Sequence, residues 1–157
     1  MTAVDPQETQ TAAPDRMLHY ETNFGKVALR DDRLISFPNG LLGLGWCTVF
    51  GLSRMPDADE SPLLLLHCVN DPAITFLCAD PDVLGTPLKE EDKKKAIKEV
   101  GYTPKDVQFL AILTLYNDGD AGYLTANLRA PVIIDSRQRV GRQHVLSNKD
   151  YSTQQKI

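Results

Sequence analysis

From Leu18 onward the chain is a succession of short apolar runs separated by turn residues, and only one stretch carries a helical rhythm. Short runs punctuated this way read as strands, and with no recurring strand–helix–strand unit they must pair mainly antiparallel. About nine or ten strands are expected. So many short strands hide their edges best by closing into a barrel or stacking as a sandwich. The predicted fold is therefore mostly β, a single-domain antiparallel β-barrel or sandwich-like fold with one helical insertion at about residues 89–100.

The strands follow in order along the chain. Tyr20 to Leu29 reads as two extended pieces around Asn23-Phe24-Gly25, and Asp31-Asp32 turns the chain into Leu34 to Phe37. Pro38-Asn39-Gly40 ends that strand, because proline cannot donate to a ladder and glycine tolerates positive φ. Trp46 to Leu52, Leu63 to Val69 and Ile74 to Cys78 come next, the last alternating at period two. Lys89 to Val100 is the helix. Glu90 with Lys94 and Glu91 with Lys95 have i,i+4 spacing, Ala96, Ile97 and Val100 form an apolar edge, and Gly101 is placed to stop it. Val107 to Tyr116 and Gly122 to Leu128 flank a hairpin turn at Asn117 to Asp120, and Pro131 to Asp135 and Gln138 to Leu146 complete the set. Residues 1–17 lack an apolar cluster and read as a disordered leader; residues 18–157 read as one β domain.

Composition narrows the function. No apolar run reaches the roughly 18 residues of a membrane span, and no secretory signal opens the chain, so a cytoplasmic location and no membrane partner are expected. The net charge of −4 offers no general attraction for a phosphate backbone and favours a basic partner. Cys47, Cys68 and Cys78 are odd in number and lie in apolar stretches, which reads as buried reduced thiols of an intracellular protein.

Reaction chemistry finds little purchase. His19, His67 and His144 are not spaced with Cys or carboxylates as zinc sites require, and His67-Cys68 on a strand points to opposite faces. Asn117-Asp118-Gly119-Asp120 lacks the alternating ligands of a calcium loop. Gly40, Gly43 and Gly45 fit no phosphate-loop spacing, and a turn packed close to neighbouring backbone accounts for them better. No catalytic residue, metal or cofactor is assigned, and an enzyme is not expected. A small β-barrel that binds RNA is the alternative. Arg137, Arg139 and Arg142 form a basic C-terminal segment, with Arg137 and Arg139 on one strand face, although few aromatics lie nearby to stack bases.

Read together, the turn motifs resemble a known family. They are Thr22-Asn23-Phe24-Gly25, Ile35 to Leu41 with Gly43, Asn70-Asp71-Pro72 with Phe76, Ala79-Asp80-Pro81, Leu124 to Ile134, and Gly141 to Leu146 with Tyr151. In order and spacing they are similar to the flagellar assembly factor FliW family, over nearly all of Tyr20 to Tyr151. His67-Cys68 and Leu42 depart from the family pattern, which commonly has Gln-Ser and Pro there. The resemblance implies a small β-barrel-like protein with one prominent helical insertion. It implies two partners, flagellin and the RNA-binding translational repressor CsrA, and no direct contact with nucleic acid. Flagellin in the cytosol would hold the protein; after export, the freed protein would capture CsrA and relieve repression of flagellin translation. The chain is expected to act as a monomer.

The candidate partner-binding residues lie in the matching motifs: Phe37, Asn39, Leu41 and Leu42, then Asn70 and Asp71, then Asn127 and Arg129. Phe37 and Leu41 also read as plain core packing. Asn70, Asp71 and Asn127 also read as turn residues bonding their own backbone.

Overall fold

The computed structural model describes residues 16–58, 60–119 and 121–157. Residues 1–15 of the expected leader lie outside these, and Met17, its last residue, opens the first strand. Strands β1 (Met17–Thr22) and β2 (Gly25–Arg30) form a hairpin. Then come β3 (Ile35–Ser36), β4 (Val49–Arg54), β5 (Leu64–Cys68) and β6 (Thr75–Ala79). Helix α1 (Glu90–Val100) separates these from β7 (Val107–Asp118), β8 (Ala121–Asp135), β9 (Val140–Gln143) and β10 (Gln155–Lys156).

Neighbours run β8-β7-β6-β5-β4-β3-β9, and β9 pairs back onto β8, closing a seven-stranded barrel. Every pairing in the ring is antiparallel except β3 with β9, which run parallel through Ser36 and Val140. Strand β10 joins β8 at Thr125 and Ala126, clear of the β9 register. Closure leaves the ring without an open edge.

The period-two alternation sorts the side chains into two cores. Phe50, Leu66, Cys68, Cys78, Leu110, Val132 and Ile134 pack with Ile35 and Phe37 in a cluster drawn from barrel strands and the loop beside them, so they fill the interior. Leu65, Leu77, Phe109 and Ile133 belong to a second cluster with Val27 and Leu29 of the hairpin and Ala96 and Ile97 of α1, so they face outward. The hairpin and the helix thus cover the barrel wall. Gly51 makes the hairpin's approach possible, because a Cβ there would collide with the Leu29 side chain. His67 and Cys68 are both buried, one on each face, as the strand alternation requires.

Several boundaries differ from the sequence reading. Gly122 to Leu128 and Pro131 to Asp135 form one continuous strand, β8. Pro131 is tolerated because the ladder is interrupted there: Leu110 pairs with Val132 but Ile112 pairs with Asn127, so four residues of β8 bulge opposite Ala111. Trp46 to Thr48 precede β4 as loop, and β9 is shorter than expected because Ser136 to Arg139 form a turn. Arg137 and Arg139 therefore do not share a strand face. The i,i+4 pairs predicted for α1 are absent from the ion pairs of the described residues. Lys93 instead meets Glu90 and Asp82, each at 3.4 Å, because it lies half-buried over Phe109 between the helix and the barrel. Gly101 does end the helix, at φ 80°, its N–H reaching the Ile97 and Lys98 carbonyls.

Candidate partner-binding site

The connection from β3 to β4 crosses one end of the barrel, and its geometry begins at Phe37. That ring is fully buried, edge-on to Phe50 with centroids 4.9 Å apart, and it fills the space left by Gly141, where a Cβ would run into it. The Gly40 amide donates back to the Phe37 carbonyl at 2.8 Å. Gly40 itself sits at φ 65°, and a Cβ there would meet the Leu44 carbonyl, so no other residue fits this turn. Leu41 and Leu44 then exchange backbone hydrogen bonds of 3.2 and 2.8 Å, leaving Leu42 and Gly43 at the tip of a miniature hairpin. Leu41 points into the core while Leu42 is 55% exposed.

Two braces hold this loop from outside. Asn70, in the turn between β5 and β6, accepts from the amides of Thr48 (3.2 Å) and Val49 (3.3 Å) and donates through Nδ2 to the Trp46 carbonyl at 2.7 Å. Beside it the Asp71 carboxylate accepts from the Trp46 indole N–H at 2.9 Å, which fixes the ring while leaving it 56% exposed. On the other flank the Leu42 amide donates to Gln143 Oε1 at 2.9 Å, and Gln143 Nε2 donates to the Ala130 carbonyl at 3.0 Å. The Ala130 amide in turn donates to Asn127 Oδ1 at 3.0 Å. Arg129 closes the same region by donating from Nε to the Leu146 carbonyl at 3.3 Å.

The thiols beneath the loop are not poised for chemistry. Burial, helped by a hydrogen bond with Cys68, pushes Cys47 up to about 12, and burial pushes Cys78 up to about 12 as well. Both stay protonated at neutral pH and serve as packing. Among the described residues no three metal-ligating side chains come together.

The predicted residues thus converge on one end of the barrel but divide by role. Phe37 and Leu41 are core. Asn70, Asp71 and Asn127 secure turns and the bulge, and Arg129 ties β8 to the segment after β9. Leu42, Asn39 and Asn70 are the exposed members, Asn70 with its amide group already bonded to the loop. What this end offers a partner is a stiff rim with apolar side chains held outward.

The FliW protein family model matches residues 19–157. The chain belongs to the FliW family. The flagellar assembly factor FliW of Bacillus velezensis is 32% identical over 135 residues, covering 85% of this chain and 91% of that protein. That of Geobacillus kaustophilus is 28% identical over 134 residues, covering 85% and 90%. A crystal structure of the flagellar assembly factor FliW matches the fold with a TM-score of 0.68 at 25% identity, over 90% of this chain and 96% of that one. The barrel, with one α-helix among the described residues, therefore has the FliW fold.

Within this FliW-family chain, two residues of the rim escaped the sequence reading. Trp46 is expected in a strand but lies in the loop before β4, and the local signal for that loop is the close pair Gly43 and Gly45. Gln143 lies 101 residues from Leu42, and nothing local predicts their contact. No helix among the described residues is long and apolar enough to cross a membrane.

Proposed function

We propose that this FliW-family chain acts by holding other proteins, binding newly made flagellin and, once flagellin is exported, binding the translational repressor CsrA instead. The rim of Leu42 and Trp46 carries the reading. A tryptophan ring already fixed by Asp71, on a loop whose Leu42 amide is held by Gln143, gives up little conformational freedom when a partner covers it. The remaining candidates, Phe37, Asn39, Leu41, Asn70, Asp71, Asn127 and Arg129, shape this rim or border it. The net charge of −4 adds long-range attraction for a basic repressor. No bond need be made or broken: occupancy by either partner follows its concentration relative to its Kd, which is how export of one frees the protein for the other. Capture of CsrA would relieve repression of flagellin translation in the cytoplasm.

The test is a competition on purified components. Size-exclusion chromatography should give a complex with flagellin and one with CsrA, both unchanged by nuclease, and added flagellin should release CsrA. A complex lost on nuclease treatment would favour RNA binding through the basic C-terminal segment. A stable ternary complex would refute mutually exclusive binding.

A further inference from the structure

At the opposite end of the barrel from the Leu42–Trp46 rim lies a second concave feature. Strands β3 and β9 run parallel toward the rim, so the residues that precede them, Arg33 and Arg139, sit together at the other mouth. There a cup of about 200 Å³ opens into the barrel. Its floor is aliphatic, made by Ile35, Leu52 and Ile134 of the interior face, and its rim carries Arg33, Gln108, Ser136 and Arg139. No aromatic side chain lines it.

The placement of Arg139 is unusual. Its backbone lies at φ 58°, a left-handed conformation that L side chains adopt at a cost, and only one other non-glycine residue among those described does so. The position is held on both sides: the Arg139 amide donates to the Asp135 carbonyl, and its own carbonyl accepts from the Ser36 amide, each at 2.9 Å. The buried Asp135 carboxylate accepts from the Arg137 and Gln138 amides at 3.0 and 3.1 Å, fixing the turn that carries Arg139. The Arg139 guanidinium then donates through Nη1 to the Arg33 carbonyl at 3.1 Å, which orients it across the rim. A glycine would satisfy that backbone without strain, so the side chain gives arginine its use there.

Charge is unbalanced at this mouth. The adjacent acids are already engaged, Asp31 by Arg16 at 3.6 Å, Asp32 by Arg30 at 2.8 Å, and the buried Asp135 by the two backbone amides of its own turn. Among the described residues neither Arg33 nor Arg139 is paired with a carboxylate. Two arginines at the rim of a cup with an aliphatic floor suit a planar anion that brings apolar carbon with it. The size limits that ligand to a few carbons, and the lack of an aromatic face gives a nucleobase nothing to stack on. We infer that this cup binds a carboxylate carried on a short aliphatic stem, either a small free acid or an acidic side chain of a protein segment.

The experiment is a titration of the full chain followed by amide NMR at Arg33, Ser36, Arg139 and Val140. The probes are 4-methylpentanoate, its neutral amide, the peptide acetyl-Leu-Glu-amide, inorganic phosphate and oligouridylate. Saturable shifts are expected with 4-methylpentanoate, at least roughly tenfold weaker with the neutral amide because a charge-assisted hydrogen bond is lost. If the peptide also binds, the source is a protein's acidic side chain; if only the free acid binds, it is a small metabolite-like acid. Arg139→Gly, which relaxes the backbone and so should fold, and Arg33→Gln should each abolish the shifts. Equal binding of the neutral amide, response only to phosphate or RNA, silence with both carboxylates, or unchanged binding in both variants would overturn the assignment.

Discussion

Asn70 does the work of several residues. Its amide side chain serves two backbone N–H donors of the rim loop and one carbonyl, and its Oδ1 also accepts from the Cys68 thiol at 3.1 Å. Asn70→Ala should lower stability by about 1 kcal/mol in urea unfolding, at the modest end because the side chain is exposed, and should weaken partner binding by loosening Trp46. His67 works through burial. It is fully enclosed against the Tyr20 ring at 4.4 Å, with Nδ1 bonded to Thr75 Oγ1 at 2.8 Å and Nε2 without a partner among the described residues. Burial lowers its proton affinity below the ordinary 6.5, so below that pH the unfolded chain binds the proton more readily than the folded one. Stability is then greatest above about pH 6.5 and falls as pH drops through that value; the urea midpoint should shift down between pH 7.5 and 5.5, and His67→Gln should flatten the shift. Asn70 as a turn residue was legible from Asn-Asp-Pro. That His67 would be buried without a second partner was not, because the hairpin that covers it comes from far earlier in the chain.

At the scale of elements, the helix shows how a local pattern is completed from afar. The run Glu90 to Val100 and its glycine stop predicted α1 well, and Ala96 and Ile97 are its buried face as their spacing required. Its start is different, since the N-cap residue Lys89 supplies no side-chain cap. Tyr151 fills in: its hydroxyl donates to Asp92 Oδ2 at 2.6 Å and accepts from the Lys89 amide at 2.8 Å, while Asn148 donates to the same carboxylate at 3.0 Å. These hydrogen bonds hold the Asp92 carboxyl below its ordinary range and tie the C-terminal segment to the helix. Tyr151→Phe should cost about 1 kcal/mol and speed hydrogen exchange at the first turn of α1, with the barrel amides unaffected. The bulge in β8 was the element least open to sequence reading. Pro131 reads locally as a strand boundary, and only pairing with β7 shows that the chain continues past it.

For the whole molecule, closure of the ring has a mechanical consequence. A barrel without edges, filled by Phe37, Phe50 and three buried cysteines, gives the two mouths a fixed relation to each other. The rim loop is part of that body because Phe37 and Leu41 root it in the interior. Fold class was readable from strand count and the missing strand–helix–strand unit. The side chains that face outward at the rim were not, since exposure of Leu42 and Trp46 depends on braces from Asp71 and Gln143.

Trp46 is the only tryptophan in the chain, so its emission reports on the rim directly. Titrating the protein with flagellin and, separately, with CsrA, and subtracting each partner's own signal, should give a saturable blue shift as the half-exposed ring is covered. Leu42→Ala should weaken both titrations by roughly tenfold while leaving the circular dichroism spectrum unchanged. Binding of either partner, seen by calorimetry, with no change in Trp46 emission and no effect of Leu42→Ala would contradict a rim-centred site.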